Sequence, residues 1–131
     1  MSQQSVNTPS SHKEAAMEFL RLAASGNVRE AFDRHACPEF RHHNPFFKGD
    51  AESLMAAMAE NAAKNPDKVL EIQHALQEGN LVALHSRVRL KPGDPGVAVV
   101  HIFRFQGNHI AELWDIGQPA PENSPNEYGM F

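Results

Sequence analysis

Val97–Pro121, VAVVHIFRFQGNHIAELWDIGQPAP, is the stretch on which the reading of this chain turns. Val97 to Phe105 is β-branched and aromatic, Gln106-Gly107-Asn108 supplies turn residues, and His109 to Gly117 returns as a second apolar run, the pattern of a β-hairpin. Because side chains alternate along a strand, Val97, Val99, His101, Phe103 and Phe105 share one face and Ala98, Val100, Ile102 and Arg104 the other. His101 therefore stands in an aromatic row. Asp115 joins it if the loop has three residues, which pairs Phe105 with His109 and His101 with Leu113 and puts Asp115 one diagonal step away. A two-residue loop would instead bring Trp114 opposite His101 and turn Asp115 away. The three-residue loop is preferred, with Asn108 in the left-handed position.

Outward from the hairpin, period-two alternation extends to Val69–Leu76 and Leu81–Leu90, joined at Gly79-Asn80 and followed by the loop Lys91–Gly96. Toward the N-terminus the period becomes helical. Ser11 and Glu14 form a capping box before a helix that stops at Gly26; Val28–Ala36 is a short second helix ended by Pro38; Asp50 caps a third that closes at Asn65-Pro66. Between the last two, Phe40–Gly49 fits neither period and reads as a polar-aromatic loop. Met1–Ser10 is polar and expected to be mobile, leaving 11–131 as a single domain. Helices followed by strands on short turns predict an α+β fold, with three helices packed across a strongly curved antiparallel sheet.

Composition narrows the function. In 131 residues a net charge of −4 gives no reason to expect nucleic acid or an anionic membrane as partner, and 41% hydrophobic residues support a real core. The single cysteine, Cys37, excludes an internal disulfide and suits a reducing cytoplasm. Eight histidines are many for this length, and histidine is the side chain most easily poised for proton transfer near neutral pH. No glycine elbow surrounds a serine, and Cys37 lacks the setting of an activated nucleophile.

HHNPFFKG (42–49), VALHSRV (82–88), VVHIFRFQGNHIAELWDIGQP (99–119) and the terminal NEYGMF (126–131) together resemble the SnoaL-like polyketide cyclase family of the nuclear transport factor 2-like superfamily, which also holds ketosteroid isomerase. The resemblance runs from about Phe40 to Phe131. It implies a cone-shaped, strongly curved sheet wrapped by helices (a cystatin-like roll), an apolar pocket, a homodimer, and general acid/base chemistry of the aldol-condensation, cyclisation or isomerisation type on a small carbonyl compound, without a cofactor. His43, Asn44, His85, Trp114, Asp115 and Gln118 match the family pattern. His101 stands where the family usually has an acid, and His85-Ser86-Arg87 replaces a common His-Ser-His.

The expected catalytic residues are thus His101, Asp115, His43 and His85, with His42, Asn44, Arg87, Val99, Phe103 and Leu113 around the substrate. Such chemistry needs a base beside the carbonyl and a donor for the enolate oxygen; a buried imidazole oriented by a carboxylate suits either role. Val82, Leu84 and Val88, opposite the His85 row, are assigned to an outward dimer face. Two alternatives stay open: a pocket that binds a ligand without chemistry, and a divalent-metal site built from His43, His85, His101 and Asp115.

Overall fold

Ser11 opens the first helix. In the computed structural model, which describes residues 11–131, its Oγ accepts the Glu14 backbone N–H at 3.1 Å and caps α1, His12–Ala24. The apolar stripe Ala15, Ala16, Phe19, Leu20 and Ala23 is buried, and Gly26, at φ +94°, turns the chain into α2, Val28–His35. The Asp50 carboxylate accepts the Ser53 N–H at 3.1 Å and caps α3, Ala51–Lys64, which buries Leu54 and Met55. The expectation for Met1–Ser10 lies outside the described residues.

Five strands follow the same chain order: β1 Ala36–His42, β2 Val69–Glu78, β3 Leu81–Arg89, β4 Val97–Gln106 and β5 His109–Pro119, arranged in one sheet as β1-β5-β4-β3-β2. The strands after Pro66 are consecutive and antiparallel, as expected, and the three helices lie against one face of the sheet. β1 is a departure. Its residues were expected to end a helix and open a loop, yet Ala36 pairs with Ile110 and His42 with Leu113, parallel to β5, making the sheet mixed. Pro38 and the irregular register hide this strand from periodicity, and an edge position tolerates both. Half-buried Cys37 sits on it.

The hairpin register also differs from both expectations. Gln106 pairs with His109 across a two-residue loop, with Gly107 rather than Asn108 at positive φ (+62°). Ala111 is then an extra residue on β5: Phe105 opposes Ile110, but Arg104 opposes Glu112. This bulge restores the parity that the short loop would have lost, so His101 pairs directly with Asp115, not with Leu113 or Trp114. His12 pins the turn, its ring stacked on Phe105 at 4.2 Å and its Nε2 2.9 Å from the Gly107 carbonyl oxygen.

Cross-strand pairing sorts every side chain. On the helix-covered face run the rows Leu70-Val88-Val97-Pro119, Ile72-Ser86-Val99-Gly117, Ala75-Leu84-His101-Asp115 and Gln77-Val82-Phe103-Leu113. Val82 and Leu84 are wholly buried there, so these two and Val88 do not form the outward face assigned to them. Phe19 packs edge-on against Phe103 (5.9 Å between centroids) and Phe32, which seals the core below the His101 row.

Candidate active site

Above that core the helices stand away from the sheet and leave a cavity of about 380 Å³. Its walls are mainly apolar: Leu20 and Ala23 from α1, Leu54 and Met58 from α3, and Leu70, Val88 and Val99 from the sheet. Four polar side chains reach it from the sheet and the 43–50 loop or the β2 entry: His101, Asp115, Asn44 and Lys68. Asn61 and Phe47 complete the rim. Such a space, apolar with a few convergent polar groups, has the character of a small-molecule site.

His101 and Asp115 are opposite one another on adjacent strands, which sets their Cβ atoms about 4.5–5.5 Å apart. Burial removes the imidazolium from water and pushes the His101 pKa down to about 4, against the attraction of the Asp115 carboxylate, which raises it. At neutral pH the ring is uncharged. Its Nδ1 is sealed from solvent and has no hydrogen-bond partner among the described residues. Asp115 is held by Asn44, whose Nδ2 donates to Oδ2 at 3.1 Å. Asn44 is itself fixed: its backbone N–H donates to His42 Nδ1 at 3.1 Å, and its Oδ1 accepts the Phe46 N–H at 2.9 Å. His42 lies on the inner face beside Leu113, buried, and burial lowers its pKa in spite of Asp115 and Asp50.

Several expected members are elsewhere. His43, one residue beyond His42, falls on the outer face, where its ring stacks on Trp114 at 4.9 Å and its Nε2 lies 2.6 Å from Glu112 Oε2. His85 and Arg87 are also outside: β3 parity is set by the pairing of Leu84 with His101, which turns His85 toward Val100 and the ring of His74. There Arg87 covers the Phe131 ring at 4.5 Å and donates to the Pro95 carbonyl. Phe103 and Leu113 are buried in the core rather than on the cavity wall, while Val99 does line it. The metal alternative fails on the same geometry, since His43 and His85 face away from His101 and Asp115; among the described residues no three histidine, cysteine or acidic side chains converge on one ion.

Two contributors were missed. Lys68 and Asn61 carry no motif, and only the tertiary arrangement that sets the last turns of α3 and the chain entering β2 around one cavity brings them there.

Glu112, on the outer face, is bound by Arg104 Nε at 3.0 Å, Arg41 Nε at 3.0 Å and His43, and these donors hold its pKa down to about 2. It ties β1 to β4 across β5. We expect Glu112→Gln to lose about 1–3 kcal/mol in denaturant unfolding, through weakened charged hydrogen bonds, while leaving ligand binding in the cavity intact. An unchanged midpoint would refute that role.

Residues 16–113 match the SnoaL-like domain family, whereas no curated protein matches the chain. Among solved structures, TsrD from Streptomyces laurentii is similar over 86% of this chain and 92% of its own (22% identity, TM-score 0.68). A nuclear transport factor 2-like protein of unknown function from Cytophaga hutchinsonii covers 86% and 95% (18%, 0.66). A candidate polyketide cyclase from Acidithiobacillus ferrooxidans covers 85% and 91% (20%, 0.65). At these identities the likeness is one of fold. With three helices on one face of a five-stranded sheet among the described residues, and a family match spanning most of its length, the chain belongs to the SnoaL-like family.

Proposed function

We propose that the protein is a small-molecule enzyme that moves a proton at the carbon next to a carbonyl, in an aldol-type condensation or cyclisation or in an isomerisation. The observation that carries this reading is the direct pairing of His101 with Asp115 on the wall of a mainly apolar cavity. The neutral imidazole takes the α-proton, and the C–H electron pair becomes the enolate. Asp115 stabilises the imidazolium so formed, and Asn44, with a second amide proton beyond the one given to Asp115, serves the enolate oxygen. The imidazolium then returns its proton to the product carbon or oxygen. A dry site strengthens each of these interactions. No cofactor enters this sequence of steps.

The test is deuterium exchange. Wild-type protein in D₂O should accelerate loss of the α-proton NMR signal of aryl ketones such as methyl 4-oxo-4-phenylbutanoate. Binding without any exchange above buffer would leave a ligand-binding protein in place of an enzyme.

We further propose a homodimer through the outer sheet face and a cytoplasmic setting. That face carries Leu76 and Ile116, 66% and 61% exposed, beside Val100 and Trp114. Sedimentation at micromolar concentration should give twice the chain mass; a monomer there would remove the dimer.

A further inference from the structure

Among the described residues Lys68 is the one lysine or arginine that lines the cavity. Its backbone N–H donates to the Asn65 carbonyl at 3.1 Å in the turn that leaves α3, which fixes the residue at the entry to β2. One residue before β2 begins, it lines the cavity together with Leu70, so its stem lies along the apolar wall. Asn61, on the last turn of α3, also lines the cavity. Among the described residues Lys68 has no side-chain hydrogen bond or ion pair, and burial alone lowers its proton affinity, with no carboxylate acting to raise it. An ammonium partly withdrawn from water without a counter-ion favours a ligand that supplies the opposite charge.

The rest of the cavity shows where that charge would come from. Among the described residues its one lining carboxylate, Asp115, stands on β5, three strands across from β2 and nearer the core, in the His101 row, and forms no ion pair with Lys68. The cavity is therefore polarised, with a cation at the β2 entry, the imidazole and the carboxylate with its Asn44 partner in the His101 row, and an apolar span of Leu70, Val88 and Val99 between them. We infer that the substrate is an anionic carbonyl compound, a keto carboxylate, whose carboxylate is bound by Lys68 while its apolar body lies on the sheet and its carbonyl faces His101. The pairing also fixes orientation: reversal would set the carboxylate against Asp115 and leave Lys68 uncompensated. This deepens the proposed function and names the substrate class for that same site.

Binding can be measured without turnover. Titration calorimetry with 4-oxo-4-phenylbutanoate and its methyl ester, which differ at the charged group, should show the acid bound about 10–100-fold more tightly by the wild-type protein, the range of a charge-assisted hydrogen bond. Lys68→Met, which keeps the length and apolar stem, should bring the two affinities together, and Lys68→Arg should keep most of the preference. Equal affinities in the wild type, no binding of the acid, or a preference that survives in Lys68→Met would each overturn the inference. Exchange at the α-carbon is a separate readout. A Lys68-dependent preference without exchange supports the anion site and refutes the catalytic reading; exchange that depends on His101, with no effect of Lys68 on the preference, does the reverse.

Discussion

His101→Ala is expected to lose about 10²–10⁴-fold in α-proton exchange, the usual cost of removing a general acid or base. The variant should still fold, because the ring lies at the floor of a cavity and Phe103, Leu113, Leu84 and Val82 below and beside it carry the packing. His101→Gln, which keeps bulk and hydrogen bonding but not the titration, should fall nearly as far. His101→Asp, which restores the acid usual in the family at that position, should retain part of the rate. The pH profile gives a second readout. With the imidazole pKa near 4, the wild-type rate should rise through about pH 4 and stay level to neutrality, since the free base is the acting form. A rise centred near 6.5, or an Ala variant that loses melting temperature but keeps its rate per folded molecule, would reduce His101 to a structural residue.

Acid should destabilise the protein through the same side chain. The folded-state pKa of His101 is about 4 against 6.5 for a free histidine, so between these values the unfolded chain binds more protons than the native one. Stability is complete above about pH 6.5 and falls as the pH drops from there to about 4, where the loss levels off, by on the order of 3 kcal/mol from this group. His35 and His42, lowered by burial, act in the same direction. Glu112 adds a later phase, because its carboxylate is held at a pKa of about 2 against 4.5 when free; its contribution is present above 4.5 and lost on approach to 2. His101→Phe, an aromatic replacement within an aromatic row, should remove the His101 share alone. Urea unfolding at pH 7 and pH 4.5 should therefore show a drop in the wild type larger by about 2–3 kcal/mol than in His101→Phe. Equal drops would show that burial of the imidazole is not what the acid phase reports.

The helices and the four consecutive strands were legible because each rests on local chemistry. Ser11 and Asp50 cap, the Phe19 and Leu54 stripes repeat at helical spacing, and Val97–Gly117 alternates around a glycine turn. The same alternation placed His101 among the phenylalanines. The match to the SnoaL-like family then followed from the hairpin and loop motifs, and the family match to residues 16–113 agrees with it.

Local chemistry ended at the relations between strands. Whether His85 or Leu84 faces the cavity depends on which residue of β4 it meets, and both parities are acceptable to the strand alone. His42 and His43 likewise exchange faces once β1 pairs with β5, a parallel contact between segments far apart in the chain. Asp115 reached the expected face by a different route, a two-residue turn corrected by the bulge at Ala111, which Glu112 joins in a contact with Arg41 and Arg104. Lys68 became part of the cavity only through the tertiary arrangement of α3 and the sheet around it. Sequence by itself determined the elements and the fold class, since caps, turns and periodicity act within a few residues; the membership of the site was decided by tertiary pairing, because a shift of one residue in register reverses the face of every side chain on a strand.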